Sequence, residues 1–176
     1  YWNDGAQVVA PHDKNIIAEV QKITSPDQVL TNGHKDNIVI LDETFDAIYL
    51  DAVHSLSLSP EAIAAHHDLK IVYTPIHGTG VILVPESLRK FGFTNVVTVK
   101  EQNIPDGNFP TVASPNPEER ATMKMAIDLA ARQQAEIVLA TDPDADRIGM
   151  ALRDRDGSYI LLNGNQTCAL LVYYIV

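Results

Sequence analysis

The sequence predicts an α/β fold: a layered α/β/α domain whose mixed, mainly parallel sheet of about four strands is preceded by helices. Three observations predict it. From Leu69 onward, short apolar strands alternate with amphipathic helical stretches, the texture of a layered sheet. One of those strands, residues 136–140 (EIVLA), is apolar almost without a break, as a strand covered on both faces must be. Further on, Ile148, Met150 and Leu152 alternate with Gly149, Ala151 and Arg153, marking a strand wetted on one side.

In chain order, residues 13–23 predict a first helix, with Asp13 as N-cap and Ile16, Ile17 and Val20 on one face. Ser25-Pro26 and Asn32-Gly33 punctuate the stretch after it. A second helix is expected over 42–56, where Phe45, Ile48, Tyr49 and Ala52 form a stripe turned to the core. Ser59-Pro60-Glu61 starts a short third helix, with serine as cap and proline in the first helical position. Residues 70–74 (KIVYT) make a strand, and a loop from Pro75 to Gly80 leads into a helix ending near Phe91, with Gly92 as its stop. A strand at 95–99 precedes an irregular stretch, 103–117, that holds four prolines. Asn116-Pro117-Glu118-Glu119 then reads as a helix start, with Met123, Ala126, Ile127 and Ala130 as the buried stripe. Asp156-Gly157 marks a hairpin turn into a last strand at 159–161.

Composition bounds the function. Thirteen Lys and Arg against 23 Asp and Glu leave a formal charge of −10. Such a field disfavours nucleic acid and acidic membranes, whose binding rests on basic patches. The apolar run at 168–176 is far too short to span a bilayer. Cys168 is the single cysteine, so no internal disulfide forms, and with no signal peptide a cytoplasmic location is expected. The chain opens at Tyr1-Trp2 without an initiating Met and closes inside an apolar run, so it is expected to be part of a longer chain.

The chemistry concentrates in Thr141-Asp142-Pro143-Asp144-Ala145-Asp146-Arg147. Three carboxylates at every second position follow the carboxyl end of a buried strand, where open α/β sheets bind ligands. Charges so close repel one another even at an effective dielectric of about 20, so a compensating cation is expected. A hard dication with oxygen ligands supplies it, and Mg²⁺ prefers carboxylates together with phosphate oxygens or water. Arg147 adds a fixed cation with a fork suited to phosphate. An EF-hand loop is excluded, because Arg147 and Arg153 stand where that loop needs glycine and glutamate. A phosphatase using Asp142 as nucleophile, or a non-catalytic cation-binding module, remain alternatives. The second notable segment is the His77-Gly78-Thr79-Gly80 loop. It is either a tight turn that needs glycine torsions or a place where backbone amides approach phosphate. The turn is the simpler reading, and His77 reads as a satisfied structural histidine. His12, His34, His54, His66 and His67 show no metal-ligand spacing with acids.

Taken together and in order, TPIHGTG (74–80), DGNFP (106–110), SPNPEE (114–119) and TDPDADR (141–147) resemble the second domain of the α-D-phosphohexomutase family, the phosphoglucomutases and phosphomannomutases. The opening WNDGAQ (2–7) and PHDK (11–14) resemble the tail of that family's first domain. The resemblance implies residues 1–25 as that tail and 26–66 as a helical connection. It implies 67–162 as the α/β/α domain II with the metal-binding loop, and 163–176 as the start of a linker to a third domain. It further implies a mutase that moves a phosphoryl group between C1 and C6 of a hexose phosphate through a phosphoserine and a sugar bisphosphate. Asp142, Asp144 and Asp146 would hold Mg²⁺, Arg147 would bind phosphate or substrate, and a hexose 1,6-bisphosphate would activate the parent enzyme. The partners implied are the hexose phosphate and the other domains of the same chain. The family's serine loop is absent, since Ala113-Ser114-Pro115-Asn116-Pro117 belongs to the second-domain pattern. No catalytic residue is therefore expected in this chain, and the chain alone is expected to be inactive.

Overall fold

The computed structural model describes every residue except His34, and it divides into two compact units, 1–41 and 42–176. In the first unit, helix α1 spans His12–Val20. Its N-cap position is Pro11, so Asp13 sits inside the first turn, where its charge still favours the helix dipole, instead of capping it. Ile16, Ile17 and Val20 share a face that is about half exposed. Ser25 caps a single 3-10 turn at Pro26–Gln28 through a reciprocal capping box.

The second unit is built on a five-stranded sheet: β1 (Ile71–Thr74), β2 (Val96–Thr98), β3 (Ile137–Thr141), β4 (Ile148–Arg153) and β5 (Tyr159–Leu162). The strand order is β2-β1-β3-β4-β5. β1 pairs parallel with β2 and with β3, and the β3–β4 and β4–β5 pairs are antiparallel. The sheet is thus mixed with an antiparallel edge, as expected, and its five strands coincide with the five segments read as strands, against an overall count of about four.

Helix α4 (Leu83–Phe91) connects β1 to β2, and α5 (Arg120–Gln133) connects β2 back to β3. Gly92 ends α4 in the left-handed region at φ 109°, the role its position in the sequence predicts. Helix α5 begins later than Asn116. The Asn116 Oδ1 accepts the Glu118 N–H and opens a turn, and regular helix starts only at Arg120. Pro117 is needed elsewhere, because its backbone is seated against Gly149, where any Cβ would lie 2.5 Å from the Pro117 carbonyl oxygen.

Strand alternation places Val72, Val138, Ala140 and Ala151 on one face of the sheet, against Met123, Ala126 and Ala130 of α5. This is the main core. The Met123 side chain is fully enclosed, and Met123→Ala should lower the stability of this unit by about 2–4 kcal/mol, measured by urea unfolding. Wild-type stability in that variant would show that α5 does not bury this face.

Helix α2 (Glu43–His54) starts at Asp42, whose Oδ1 accepts the Thr44 N–H. Its expected core stripe is not its buried face: Phe45, Ile48 and Tyr49 are about half exposed or more, whereas Leu50 is buried. The helix leans on α4 through the Asp51–Lys90 ion pair at 2.7 Å and the edge-on His54–Phe91 rings. Both sides of α2 carry apolar residues, and periodicity alone does not tell which of two such sides a neighbour covers. Ser59 precedes α3 (Pro60–Ala65) but makes no side-chain cap, so proline in the first helical position carries that start. Residues 163–176, expected as the beginning of a linker, contain helix α6 (Gly164–Ile175), capped reciprocally by Asn163 and Gln166. Among the described residues no helix is long and apolar enough to cross a membrane.

Candidate metal centre

The strand order makes a particular place in the molecule. Leaving β1 the chain runs outward to β2, and leaving β3 it turns the other way to β4. The connections that leave the carboxyl ends of β1 and β3 therefore run in opposite directions, the kind of switch point at which such sheets bind ligands. Both motif loops of the sequence, 74–80 and 141–147, arise there.

In the β3 loop, Asp142, Asp144 and Asp146 bring one carboxylate oxygen each to within 4.8 Å of one another. Asp142 is buried and the other two are exposed. The Asp142 Oδ1 accepts the Arg147 backbone N–H at 2.9 Å, and its Oδ2 accepts the Arg147 Nε–H at 2.8 Å. Burial alone would push the Asp142 carboxyl up, but the backbone N–H and guanidinium of Arg147 outweigh it and hold the carboxyl below its ordinary value. Asp146 is pushed the other way, first by the charge of Asp144 and then by that of Asp142. Ala145, between Asp144 and Asp146, adopts the left-handed φ of 60°. Arg147 is thus fastened through Nε to the acid trio, and among the described residues its two Nη groups make no hydrogen bond.

A Mg²⁺ ion bound at about 2.1 Å from each oxygen sets neighbouring ligand oxygens about 3 Å apart. Three hard oxygen donors with mutual repulsion and an open outer side fit such an ion.

The β1 loop is shaped differently from either expectation. Its left-handed residues are Ile76 (φ 47°) and His77 (φ 60°), not the glycines, and Gly78 has φ −101°. Such torsions cost about 1–3 kcal/mol each, and surrounding bonds hold them. The Ile76 N–H donates to Thr74 Oγ1, and the His77 N–H donates to the Gln102 carbonyl. The His77 Nδ1–H donates to the Ile104 carbonyl at 2.9 Å, which leaves Nε2 to accept from the Thr111 hydroxyl at 2.9 Å. Gln102 completes the network, accepting from Thr74 and donating to Thr111. His77 is accordingly a satisfied structural residue that ties the strand end to the proline-rich loop. Gln102 is fully buried, a fact without any sequence signal, since its partners stand 28 and 9 residues away.

The glycines serve close approach. A Cβ on Gly78 would lie 2.6 Å from the Pro143 carbonyl oxygen, and one on Gly80 would lie 2.8 Å from Thr141 Oγ1. Beneath Gly80 the buried Tyr73 hydroxyl and Thr141 Oγ1 are hydrogen-bonded at 2.8 Å, with burial raising the phenol to about 12. The loop amides are already used: Gly78 N–H donates to the Pro75 carbonyl and Thr79 N–H to the Pro143 carbonyl, both at 2.8 Å. These two amides are turned to protein carbonyls and do not form a phosphate cradle.

Comparison with known proteins places the chain in a family. The family model for phosphoglucomutase/phosphomannomutase, alpha/beta/alpha domain II, matches residues 47–157. A protein of Haemophilus influenzae named a probable phosphomannomutase is 38% identical over 98% of this chain, which covers 34% of that protein. A phosphoglucomutase of Staphylococcus aureus is 33% identical over 99% of the chain and 31% of its own length. The human phosphopentomutase is 31% identical, with 99% and 29% covered. The chain spans about a third of the length of these curated relatives. A crystal structure from Thermus thermophilus, provisionally designated a phosphomannomutase, superposes with a TM-score of 0.59 over 76% of this chain and 28% of that one. At 23% identity it shows the fold alone.

Proposed function

The chain belongs to the phosphoglucomutase/phosphomannomutase family through its α/β/α domain II, and on that premise we propose that it is the metal-holding domain of a cytoplasmic phosphosugar mutase. The parent enzyme moves a phosphoryl group between C1 and C6 of a hexose phosphate, with a phosphoserine outside this chain as carrier and a hexose 1,6-bisphosphate as intermediate and activator. Asp142, Asp144 and Asp146 would hold Mg²⁺, which when bound supplies positive charge beside the transferring phosphoryl group. Arg147 orients Asp142 through Nε and turns its free Nη edge outward to phosphate or substrate. The observation that carries the reading is the trio itself: three carboxylates within 4.8 Å at the switch point of the sheet, one of them buried and locked by arginine.

A phosphatase that forms an aspartyl-phosphate on Asp142 fits less well. An aspartyl-phosphate mechanism uses a nucleophile and one assisting acid two residues on, so a third carboxylate within 4.8 Å gains nothing from it, whereas a cation uses all three.

Two measurements test the proposal. Calorimetric titration of the purified chain should show weak Mg²⁺ binding, because a ligand from another domain is missing. Assays with glucose 1-phosphate and with simple phosphate esters should show no turnover. Mutase activity of the chain alone, or beryllium fluoride trapped on Asp142 with ester hydrolysis, would overturn it. Tight Mg²⁺ uptake without any phosphorylated partner would point instead to a cation-binding module.

A further inference from the structure

The His77-Gly78-Thr79-Gly80 loop neither cradles phosphate through its Gly78 and Thr79 amides nor supplies a carboxylate, yet it is pressed against the aspartate loop at two points. We infer that Thr79 is a positioning residue for the carboxylate trio, acting through the carbonyl of Pro143; the inference rests on the metal-centre reading and extends it to a residue outside the acidic loop.

Two donors of Thr79 converge on one acceptor. Its backbone N–H reaches the Pro143 oxygen at 2.8 Å and its Oγ1–H reaches the same oxygen at 3.1 Å. Thr79 is exposed, so its hydroxyl is open to water and donates instead to a carbonyl 64 residues further along the chain. Pro143 stands between Asp142 and Asp144, and its ring fixes its own φ. Once its carbonyl is anchored, the peptide plane leading into Asp144 is fixed as well. Asp142 has a separate hold in Arg147. Asp144 is exposed, and the anchored peptide before it is what aims its arm at the other two acids. Gly78 lets the contact form, since a side chain there would separate the two backbones. The Thr79 hydroxyl therefore acts on Asp144 as an outer partner acts on a metal ligand, by orienting it.

The closing experiment uses the difference between two cations. Mg²⁺ demands near-ideal octahedral geometry, whereas Ca²⁺ accepts six to eight oxygens in irregular arrangements. Titration of the 176-residue chain and its variants with each ion, by calorimetry, separates aim from stability. Thr79→Ala should weaken Mg²⁺ binding by about tenfold and Ca²⁺ binding by less than about threefold. Thr79→Ser, which keeps the hydroxyl, should restore the wild-type ratio. Equal weakening of both ions, with a lowered Tm, would make Thr79 a structural residue only and overturn the inference. So would unchanged affinity for Mg²⁺ in Thr79→Ala while Asp144→Ala loses it. Failure of the wild-type chain to bind either ion would overturn the metal-centre reading itself, and this inference with it.

Discussion

Replacing Asp144 by alanine is expected to lower the affinity of the chain for Mg²⁺ by roughly 100-fold, while leaving the fold intact. The size follows from removing one full charge and one oxygen donor from a three-carboxylate set around a dication. Asp144 is the informative member of the trio. Asp142 is buried and satisfies both the backbone and the side chain of Arg147, so its removal would strand a guanidinium and confuse metal loss with misfolding. Asp144 is exposed, and its loss should move Tm by no more than about 2 °C. A second signature accompanies the first. Asp146 is held above its ordinary carboxylate value chiefly by the charge of Asp144. In the metal-free variant that charge is gone, so the Asp146 carboxyl should titrate at lower pH than in the wild type, followed by carboxyl-carbon NMR. Wild-type Mg²⁺ affinity in Asp144→Ala would remove the trio from consideration as the cation site.

Gly78→Ala is expected to be strongly damaging for a change of a single methyl group. The added Cβ would meet the Cα, carbonyl carbon and carbonyl oxygen of Pro143, the last two at 2.8 and 2.6 Å. These are backbone atoms of a proline that is itself hydrogen-bonded to Thr79, so no flexible side chain can swing aside. The loops must part, at about 2–3 kcal/mol for overpacking, seen as a fall in Tm of roughly 5–10 °C. Separation of the loops should weaken Mg²⁺ binding too. Gly107→Ala is the matched control, because nothing stands within 4 Å of a Cβ there, and it should behave as wild type. If Gly78→Ala melted like the control, the contact between the two loops would be disproved.

What was readable in the sequence was mostly what depends on near neighbours. The run EIVLA, the alternation from Ile148 to Leu152, the proline in the first position of α3 and the stop at Gly92 each reflect local backbone geometry or the period of one element. The aspartate loop was readable for the same reason: its three acids are close in sequence, so they are close in any fold. Readings that needed knowledge of a neighbour went astray. The apolar stripe of Phe45, Ile48 and Tyr49 has the correct helical spacing and still faces away from the core, since α4 covers the other side of α2. Asn116 has the composition of a helix cap, yet the segment is held against Gly149 and the helix waits until Arg120. The glycines of the β1 loop suggested torsional freedom, and the left-handed residues proved to be Ile76 and His77.

By itself, then, the sequence determined an α/β chain with a mixed sheet, the family to which it belongs, and a dense patch of negative charge after the third strand. Periodicity and short-range spacing survive in any compact arrangement, which is why they could be read directly. The tertiary structure decided the rest: that the strand order sets the two loops side by side at one end of the sheet, that Arg147 is tied back to Asp142, and that Thr79 reaches Pro143. Those contacts join residues far apart in the chain, and their geometry exists only once the backbone has closed on itself.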